Sequence, residues 1–389
     1  MENSLIWAEI DLGAIAHNVA QLRKITSPKA KLMAVVKADA YGHGAVQTAK
    51  AALSSGADVL GVARINEAIV LRQAGISAPI QIFGYTPPLM TETLIKHDLT
   101  QTVFSYHSAT ELSKTALAHG KKIRIHIKVD TGMGRLGLTT DCLEISSSDF
   151  NMTQSSLKQV ESIVTLPGVI AEGIMTHFAS ADSADKTFAK KQFAIFSDFI
   201  HHLSKKGIKF EVRHAANSAA VMDLPESHLD LVRPGISIYG LYASDEVDKS
   251  KAVLKPVMAL KAKVVHVKKV PSGFSVSYGH TYRTRKPTTI ATVSAGYADG
   301  FNRLFSSCGF MLVRGIRAPV IGRVCMDLTM LDVGHIPDVN AGDEVVIFGT
   351  QNNESIHVDE LAKKLSTINY EIVSTITARV PRVYIPENE

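Results

Sequence analysis

Ala34-Val35-Val36-Lys37-Ala38-Asp39-Ala40-Tyr41-Gly42-His43-Gly44 joins an apolar run to a lysine and then to glycines. The run starts at Leu32. Unbroken apolar residues from there to Val36 read as a strand buried on both faces, as in a parallel sheet. A lysine stands where that strand stops. Lysine ammonium groups are rarely buried without a partner, and desolvation at the mouth of an apolar strand disfavours the charged form. A neutral amine there can condense with a carbonyl, and the commonest protein use of that chemistry is a Schiff base with pyridoxal phosphate. Taken alone, V-V-K fits equally a lysine that ends a strand and carries its charge to solvent.

Working outward from this strand, short apolar runs recur between residues 30 and 240. Strands are expected at Leu32–Lys37, Val59–Ala63, Ile80–Phe83, Thr102–Phe104, Ile123–Val129, Val169–Thr176, Phe210–Arg213 and Leu231–Ile238. Helical patterns fall between them at Ala45–Leu53, Ile65–Ala74, Ser108–Ala118 and Phe188–Lys205. Ser146–Asn151 reads as a loop leading into a helix around Leu157–Val164. Strand and helix alternating eight times indicate an α/β fold, a closed (β/α)8 TIM-like barrel. An open doubly wound sheet is the alternative, but no G-x-G-x-x-G opens a helix after a strand.

Beyond residue 243 the texture changes. Val257–Lys269, Thr289–Ala295, Gly309–Val313, Ala318–Val324, Thr329–Val333 and Glu344–Phe348 read as short strands punctuated by Gly, Pro, Asn and Asp, with one helix at Val358–Leu365. The expected organisation is a barrel domain at 1–243 and a mostly β C-terminal domain at 244–389. The N-terminal strand, about 5–12, is assigned to the β domain.

Composition excludes several classes. The 389 residues carry a net charge of +5, with no long run of like charge to serve as a nucleic-acid arm. The basic cluster Thr281–Lys286 reads as a solvated loop. No leader is evident at Met1–Trp7, and no apolar stretch is long enough for a membrane span. Cys142, Cys308 and Cys325 form no CxxC pair and no metal-ligand spacing. A reduced cytoplasmic protein without nucleic-acid or membrane partners is expected.

In a (β/α)8 barrel the reactive groups gather at the carboxyl ends of strands. Here those ends carry Lys37, the loop Lys128–Gly137, His177, Arg213–Ser218 and Asp230–Gly235. Each has a plain alternative: a satisfied structural histidine, a helix N-cap at Asn217-Ser218, a surface arginine before Pro234. Asn217-Ser218 and Gly235-Ile236 are the places where backbone N–H groups and hydroxyls could receive a phosphate. Tyr41 could add a phenolic donor.

V-V-K-A-D-A-Y-G-H-G resembles the lysine motif of alanine racemases. The resemblance continues in order through Val129–Arg135, Thr176–Ala179, His214–Ser218, Arg233–Gly240, Val276–Gly279, Ala295–Gly300 and Gly322–Asp327, and spans about Ile6 to Tyr384. It implies a barrel followed by a β domain, pyridoxal 5'-phosphate as cofactor, and a head-to-tail homodimer. The activity it implies is interconversion of L- and D-alanine, with D-alanine destined for peptidoglycan.

The resemblance also assigns roles. Lys37 would hold the cofactor and act as one base, with Tyr278 of the other subunit as the second, on the opposite face of the substrate. His177 would link Tyr278 to Arg233, and Arg233 would face the pyridine nitrogen. Arg135 would meet the cofactor's phenolic oxygen and the substrate carboxylate, and Lys128 would be open to carbamylation. Tyr41, Asn217, Ser218, Gly235 and Ile236 would hold the phosphate. The Met326 N–H would meet the substrate carboxylate, and Tyr297 would narrow the access channel. An arginine opposite the ring nitrogen argues against a decarboxylase of the same architecture, which places an acid there. A broader racemase of small amino acids is the nearest rival, and a non-catalytic pyridoxal phosphate carrier would leave Tyr278 to Asp327 unexplained. Two departures stand out: Asp39 replaces the usual asparagine, and Ala378 stands where relatives carry a tyrosine.

Overall fold

The computed structural model describes residues 4–140 and 150–386. The chain divides into two units, one of residues 14–38 and 45–255, the other of residues 1–13, 39–44 and 256–389.

In the first unit eight strands run parallel: β1 (Lys31–Val35), β2 (Val59–Val62), β3 (Ile80–Ile82), β4 (Leu99–Val103), β5 (Ile123–Asp130), β6 (Val169–Met175), β7 (Val212–His214) and β8 (Leu231–Val232). Their order follows the chain, and β8 returns to pair with β1. The seam between β7 and β8 is held differently. The Asp230 N–H donates to Arg213 O at 3.0 Å, and the Arg213 N–H donates to Asp230 Oδ2 at 2.8 Å. The Arg213 guanidinium grips the same carboxylate at 2.6 and 3.0 Å. The result is a near-closed (β/α)8 barrel.

Leu32, Met33, Ala34 and Val36 are fully buried, as a strand covered on both faces requires. The helices pack by an apolar stripe. Thr187–Lys205 buries Ala189, Gln192, Phe196, Phe199 and Leu203, at alternating spacings of three and four.

Two expectations in this unit are corrected. The eighth strand stops at Val232, because Pro234 has no N–H for a ladder, and Ile236–Tyr239 turns into a 3-10 helix. The helix expected near Leu157 begins at Phe150, so Phe150 and Asn151 are helical. Cys142 and Ser146–Asp149 lie outside the described residues.

In the second unit the strand Ile6–Asp11 pairs antiparallel with Met258–Val270 and parallel with Arg382–Ile385. Met258, Leu260, Ala262 and Val264 are buried while the residues between them are half-buried, the period-two pattern of a half-covered strand. The sheet continues through Glu344–Gln351, Phe310–Val313 and Ile316–Pro319, with Thr288–Val293 and Thr329–Asp332 alongside. Within the basic cluster, Tyr282–Arg283 form a strand against Ser275–Val276 rather than a solvated loop. Thr284 is buried, donating to Pro271 O at 2.7 Å. Among the described residues no helix is long and apolar enough to cross a membrane.

Candidate active site

The chain leaves β1 through Val36, whose N–H donates to Gly61 O at 2.8 Å. Lys37 then opens a short turn, Lys37–Tyr41, of left-handed sense. Ala38, Asp39, Ala40 and Tyr41 have φ of 52°, 50°, 53° and 53°. For non-glycine residues this conformation costs roughly 1–2 kcal/mol each, so backbone strain is concentrated beside the lysine. The turn is pinned at its start by Ala38 N–H, which donates to Glu67 Oε1 at 2.6 Å. Gly44 N–H donates to Asp39 O at 2.9 Å. Burial lowers the His43 pKa to about 4, so the ring is neutral, and its Nδ1 lies 3.0 Å from the Ala40 and Tyr41 carbonyls. Nδ1 therefore carries the ring proton. Glu67 also accepts from Ala63 N–H and Arg64 N–H at 2.7 and 2.9 Å, and ties the ends of β1 and β2 together.

After β5 the chain wraps around one carboxylate. Asp130 Oδ1 accepts from the N–H groups of Gly132, Met133 and Gly134 at 3.0, 2.9 and 3.1 Å, and Oδ2 accepts from Arg135 N–H at 3.1 Å. Gly137 (φ 142°) closes the loop, where a Cβ would come within 2.4 Å of Asp130 N. The loop thus presents Arg135 from a rigid ring of amides.

Arg233 is buried after β8 and its donors are spent in specific places. Nη2 donates to Thr176 O at 2.8 Å and Ala215 O at 3.0 Å, and lies 3.3 Å from His177 Nδ1. Nη1 lies 3.0 Å from His214 Nδ1. Since a guanidinium only donates, both Nδ1 atoms accept, and each ring carries its proton on Nε2. Burial lowers the Arg233 pKa to about 9.

These groups push on one another. Burial lowers the Lys37 pKa, and Arg135 lowers it further, while Glu67 opposes. Burial, then Arg135 and Arg233, bring Lys128 down to about 8. His177 is driven well below its ordinary value by burial and by the charges of Arg233, Arg135, Lys128 and Lys37. The Asp130 carboxylate spends both oxygens on backbone N–H groups, as does that of Glu67. The pit is strongly positive and suits an anionic ligand.

Beside it, donors converge on one point. Ser218 Oγ lies 2.8 Å from Gly235 N, 3.4 Å from Ser237 N and 3.1 Å from Ser237 Oγ. Asn217 caps the following helix, its Oδ1 accepting from Ala220 N–H at 3.1 Å. Ile236 is fully buried under this cradle. In the other unit, burial raises the Tyr41 pKa.

The sites expected in the β unit share one exposed face. Tyr278 is 69% exposed, Met326 52% and Tyr297 40%. Ser277, at φ 65° and ψ −175°, donates through Oγ to Arg323 O at 2.6 Å. Tyr297 N–H donates to Cys325 O and Ala298 N–H to Met326 O, each at 3.0 Å. The loop Arg323–Met326 thus carries the turns that bear both tyrosines.

Two family models match the chain: alanine racemase N-terminal domain over residues 10–243 and alanine racemase C-terminal domain over residues 257–384. The chain belongs to the alanine racemase family. A relative named alanine racemase from Desulfosudis oleivorans is 56% identical over 384 residues, covering 99% of this chain and 97% of the relative. Among solved structures, an alanine racemase of Clostridium difficile superposes with a TM-score of 0.92 at 39% identity, covering 100% of this chain and 97% of that one. An alanine racemase of Bartonella henselae described with covalently bound pyridoxal phosphate has a TM-score of 0.85 at 28% identity, covering 98% of this chain and 100% of that one.

The residues present fit pyridoxal 5'-phosphate. A lysine with a lowered pKa, a strongly positive group of side chains, and the Ser218 and Ser237 hydroxyls gathered with the Gly235 N–H are the chemistry a phosphate-bearing aldehyde needs. Glu67 escaped the sequence reading, because the residue three before it is Arg64, whose guanidinium cannot accept the reciprocal bond that marks a capping box. The part of Thr176, whose carbonyl accepts from Arg233, gave no sequence signal, since it works through a partner distant in the chain.

Proposed function

We infer that this chain interconverts L-alanine and D-alanine, with pyridoxal 5'-phosphate held covalently through Lys37 Nζ. The cofactor, when bound, supplies the electron-withdrawing ring that lets the α-proton of alanine leave. Lys37, freed when the amine of the substrate takes its place, would then move that proton at Cα on one face. Tyr278 Oη, from a second copy of the chain, moves it on the other. Racemisation needs two such groups, because a single base returns the proton to the face it came from.

The observation that carries this reading is Arg233, locked as a donor at the rim beside a lysine of lowered pKa. An arginine holds its proton, so Arg233 would donate to the ring nitrogen without protonating it. Arg233 in that place would limit electron withdrawal, and so favour simple return of the proton over transamination or decarboxylation. Arg135 engages the phenolic oxygen and the substrate carboxylate. A carbamate on Lys128 would place a negative charge among Arg135, Arg233 and Lys37, and orient Arg135. Tyr41, Asn217, Ser218, Gly235 and Ile236 hold the phosphate. The Met326 N–H receives the substrate carboxylate, and Tyr297 narrows the access channel. The working unit is a homodimer in the cytoplasm, and its product feeds peptidoglycan.

The test is direct. Purified protein loaded with pyridoxal phosphate should form D-alanine from L-alanine, and Lys37→Ala should not. Wild-type protein that releases carbon dioxide or pyruvate instead of D-alanine would overturn the reading.

A further inference from the structure

A chain of three polar side chains runs from Arg233 away from the pit. Arg233 Nη1 lies 3.0 Å from His214 Nδ1, His214 Nε2 lies 2.7 Å from His126 Nδ1, and His126 Nε2 lies 3.3 Å from Glu172 Oε2. The ends of this chain dictate its interior. A guanidinium only donates and a carboxylate only accepts. His214 must therefore accept at Nδ1 and donate at Nε2, and His126 must do the same. Every proton in the chain points from Arg233 toward Glu172. Both rings are neutral in this arrangement, since a proton on either Nδ1 would face another N–H.

Two further features show that the backbone is shaped for this chain. The ladder between β5 and β6 pairs Ile125 with Ala171 but His126 with Gly173, so Glu172 is the extra residue of a bulge. Bulges re-aim side chains next to active sites. Opposite His126, a Cβ on Gly173 would stand 2.7 Å from the ring's Cε1, so glycine makes room for the imidazole. His126 and His214 are buried, whereas the Glu172 side chain keeps 28% of its exposure. Neighbouring Arg124 pairs with Asp98, and the hydrogen bond with His126 is the first cause of the lowered Glu172 pKa.

We propose that Glu172 is a positioning residue: through His126 and His214 it holds the Arg233 guanidinium in its donor orientation and supports its charge. This rests on the placement of Arg233 at the cofactor ring. Without the carboxylate, the His126 ring loses its outer anchor and the arginine loses the negative end of its hydrogen-bonded chain.

The test uses the holoenzyme with Glu172→Leu and Glu172→Gln, and NMR of protein labelled with 15N-histidine. Wild type should show slowly exchanging Nε2–H protons on both His126 and His214. Glu172→Leu should lose the protected His126 proton and shift that of His214. Its kcat should fall on the order of 10-fold, the lower end of the scale seen when outer partners of metal-ligating histidines are removed, with KM for alanine little changed. Glu172→Gln keeps an oxygen acceptor and should recover the His126 signal and part of the kcat. Wild-type kcat in Glu172→Leu, or a loss with unchanged histidine protons that Gln does not recover, would overturn the proposal. Arg233→Lys separates the two readings. If it racemises normally, the placement of Arg233 is at fault; if it is impaired while Glu172→Leu is not, only the role of Glu172 falls.

Discussion

Arg233 Nη2 lies 3.3 Å from Nδ1 of His177, which leaves the proton of that imidazole on Nε2. The ring is held neutral by its burial and then by the charges of Arg233, Arg135, Lys128 and Lys37. A neutral histidine with a fixed Nε2–H can donate to a phenolate without competing for its proton. That is the partner a tyrosine base requires, and Tyr278 is exposed on a face of the β unit.

If Tyr278 of one copy serves the barrel of another, two inactive chains should complement. Mixing Lys37→Ala with Tyr278→Ala after subunit exchange should restore part of the activity, because each mixed dimer holds one intact site. No recovery, with exchange verified by mass-tagged subunits, would mean that each chain builds its site alone.

Lys37 should be the lysine that carries the cofactor. Borohydride reduction of the holoprotein should fix pyridoxal phosphate to the peptide containing Lys37. Recovery of the label on Lys128, whose pKa is also lowered, would refute the assignment.

Arg233→Glu should slow racemisation by orders of magnitude and raise pyruvate formation, since a carboxylate would favour a protonated ring. It should also lower stability by about 3–5 kcal/mol, the cost of breaking a buried charged network, because Thr176 O, Ala215 O and His214 Nδ1 would face an acceptor. A slow but equally stable enzyme with no added pyruvate would point to a different role.

Lys128 makes stability depend on pH. Its pKa is about 8 in the fold against an ordinary 10.5. Between these values the unfolded chain binds more protons, so stability rises with pH across the window by up to roughly 3 kcal/mol. The penalty is fully present below about 8. Denaturant melts from pH 7 to 10.5 should show this rise in wild type and lose it in Lys128→Met. With 13C-bicarbonate, a carbamate resonance should appear in wild type and be missing from Lys128→Met. A resonance common to both proteins would place the carbamate elsewhere.

Ala378 is exposed on the surface of its unit. Of the aromatic residues that could take the place of a tyrosine there, Tyr370 lies against Tyr41, with ring centroids 6.0 Å apart. Tyr384 sets its hydroxyl over Gly44. A site with a methyl group in place of a phenol should admit L-serine, because an apolar pocket rejects an added hydroxyl by only about 1–3 kcal/mol. Alanine should remain the better substrate, and Ala378→Tyr should depress serine turnover more than alanine turnover. An unchanged ratio would show that the space is filled another way.

The barrel was legible because buried parallel strands are apolar runs, and Leu32–Val36 could be little else. Its eighth strand was overread because Ile236 and Ile238 extend the apolar pattern past a proline that ends the pairing. The rim residues could be named from strand ends and motif spacing. What joins them could not. The left-handed turn after Lys37 is written in A-D-A-Y, residues with no conformational signature for it. The chain from Arg233 to Glu172 depends on a bulge, and a bulge leaves no mark on the period of a strand.

The strand Ile6–Asp11 lies between Met258–Val270 and Arg382–Ile385. The strand Ile6–Asp11 is therefore made long before its parallel neighbour Arg382–Ile385. Until residue 385 emerges, one edge of Ile6–Asp11 has no parallel neighbour, and an open strand edge is where nascent chains associate wrongly. Arg382, which donates to the carbonyls of Gly42, Ile376, Thr377 and Val380, arrives in the same final stretch. Completion of the β unit, and the seating of the turn at Gly42, thus wait for Arg382–Ile385 to be made. Truncation before Arg382 would remove both at once.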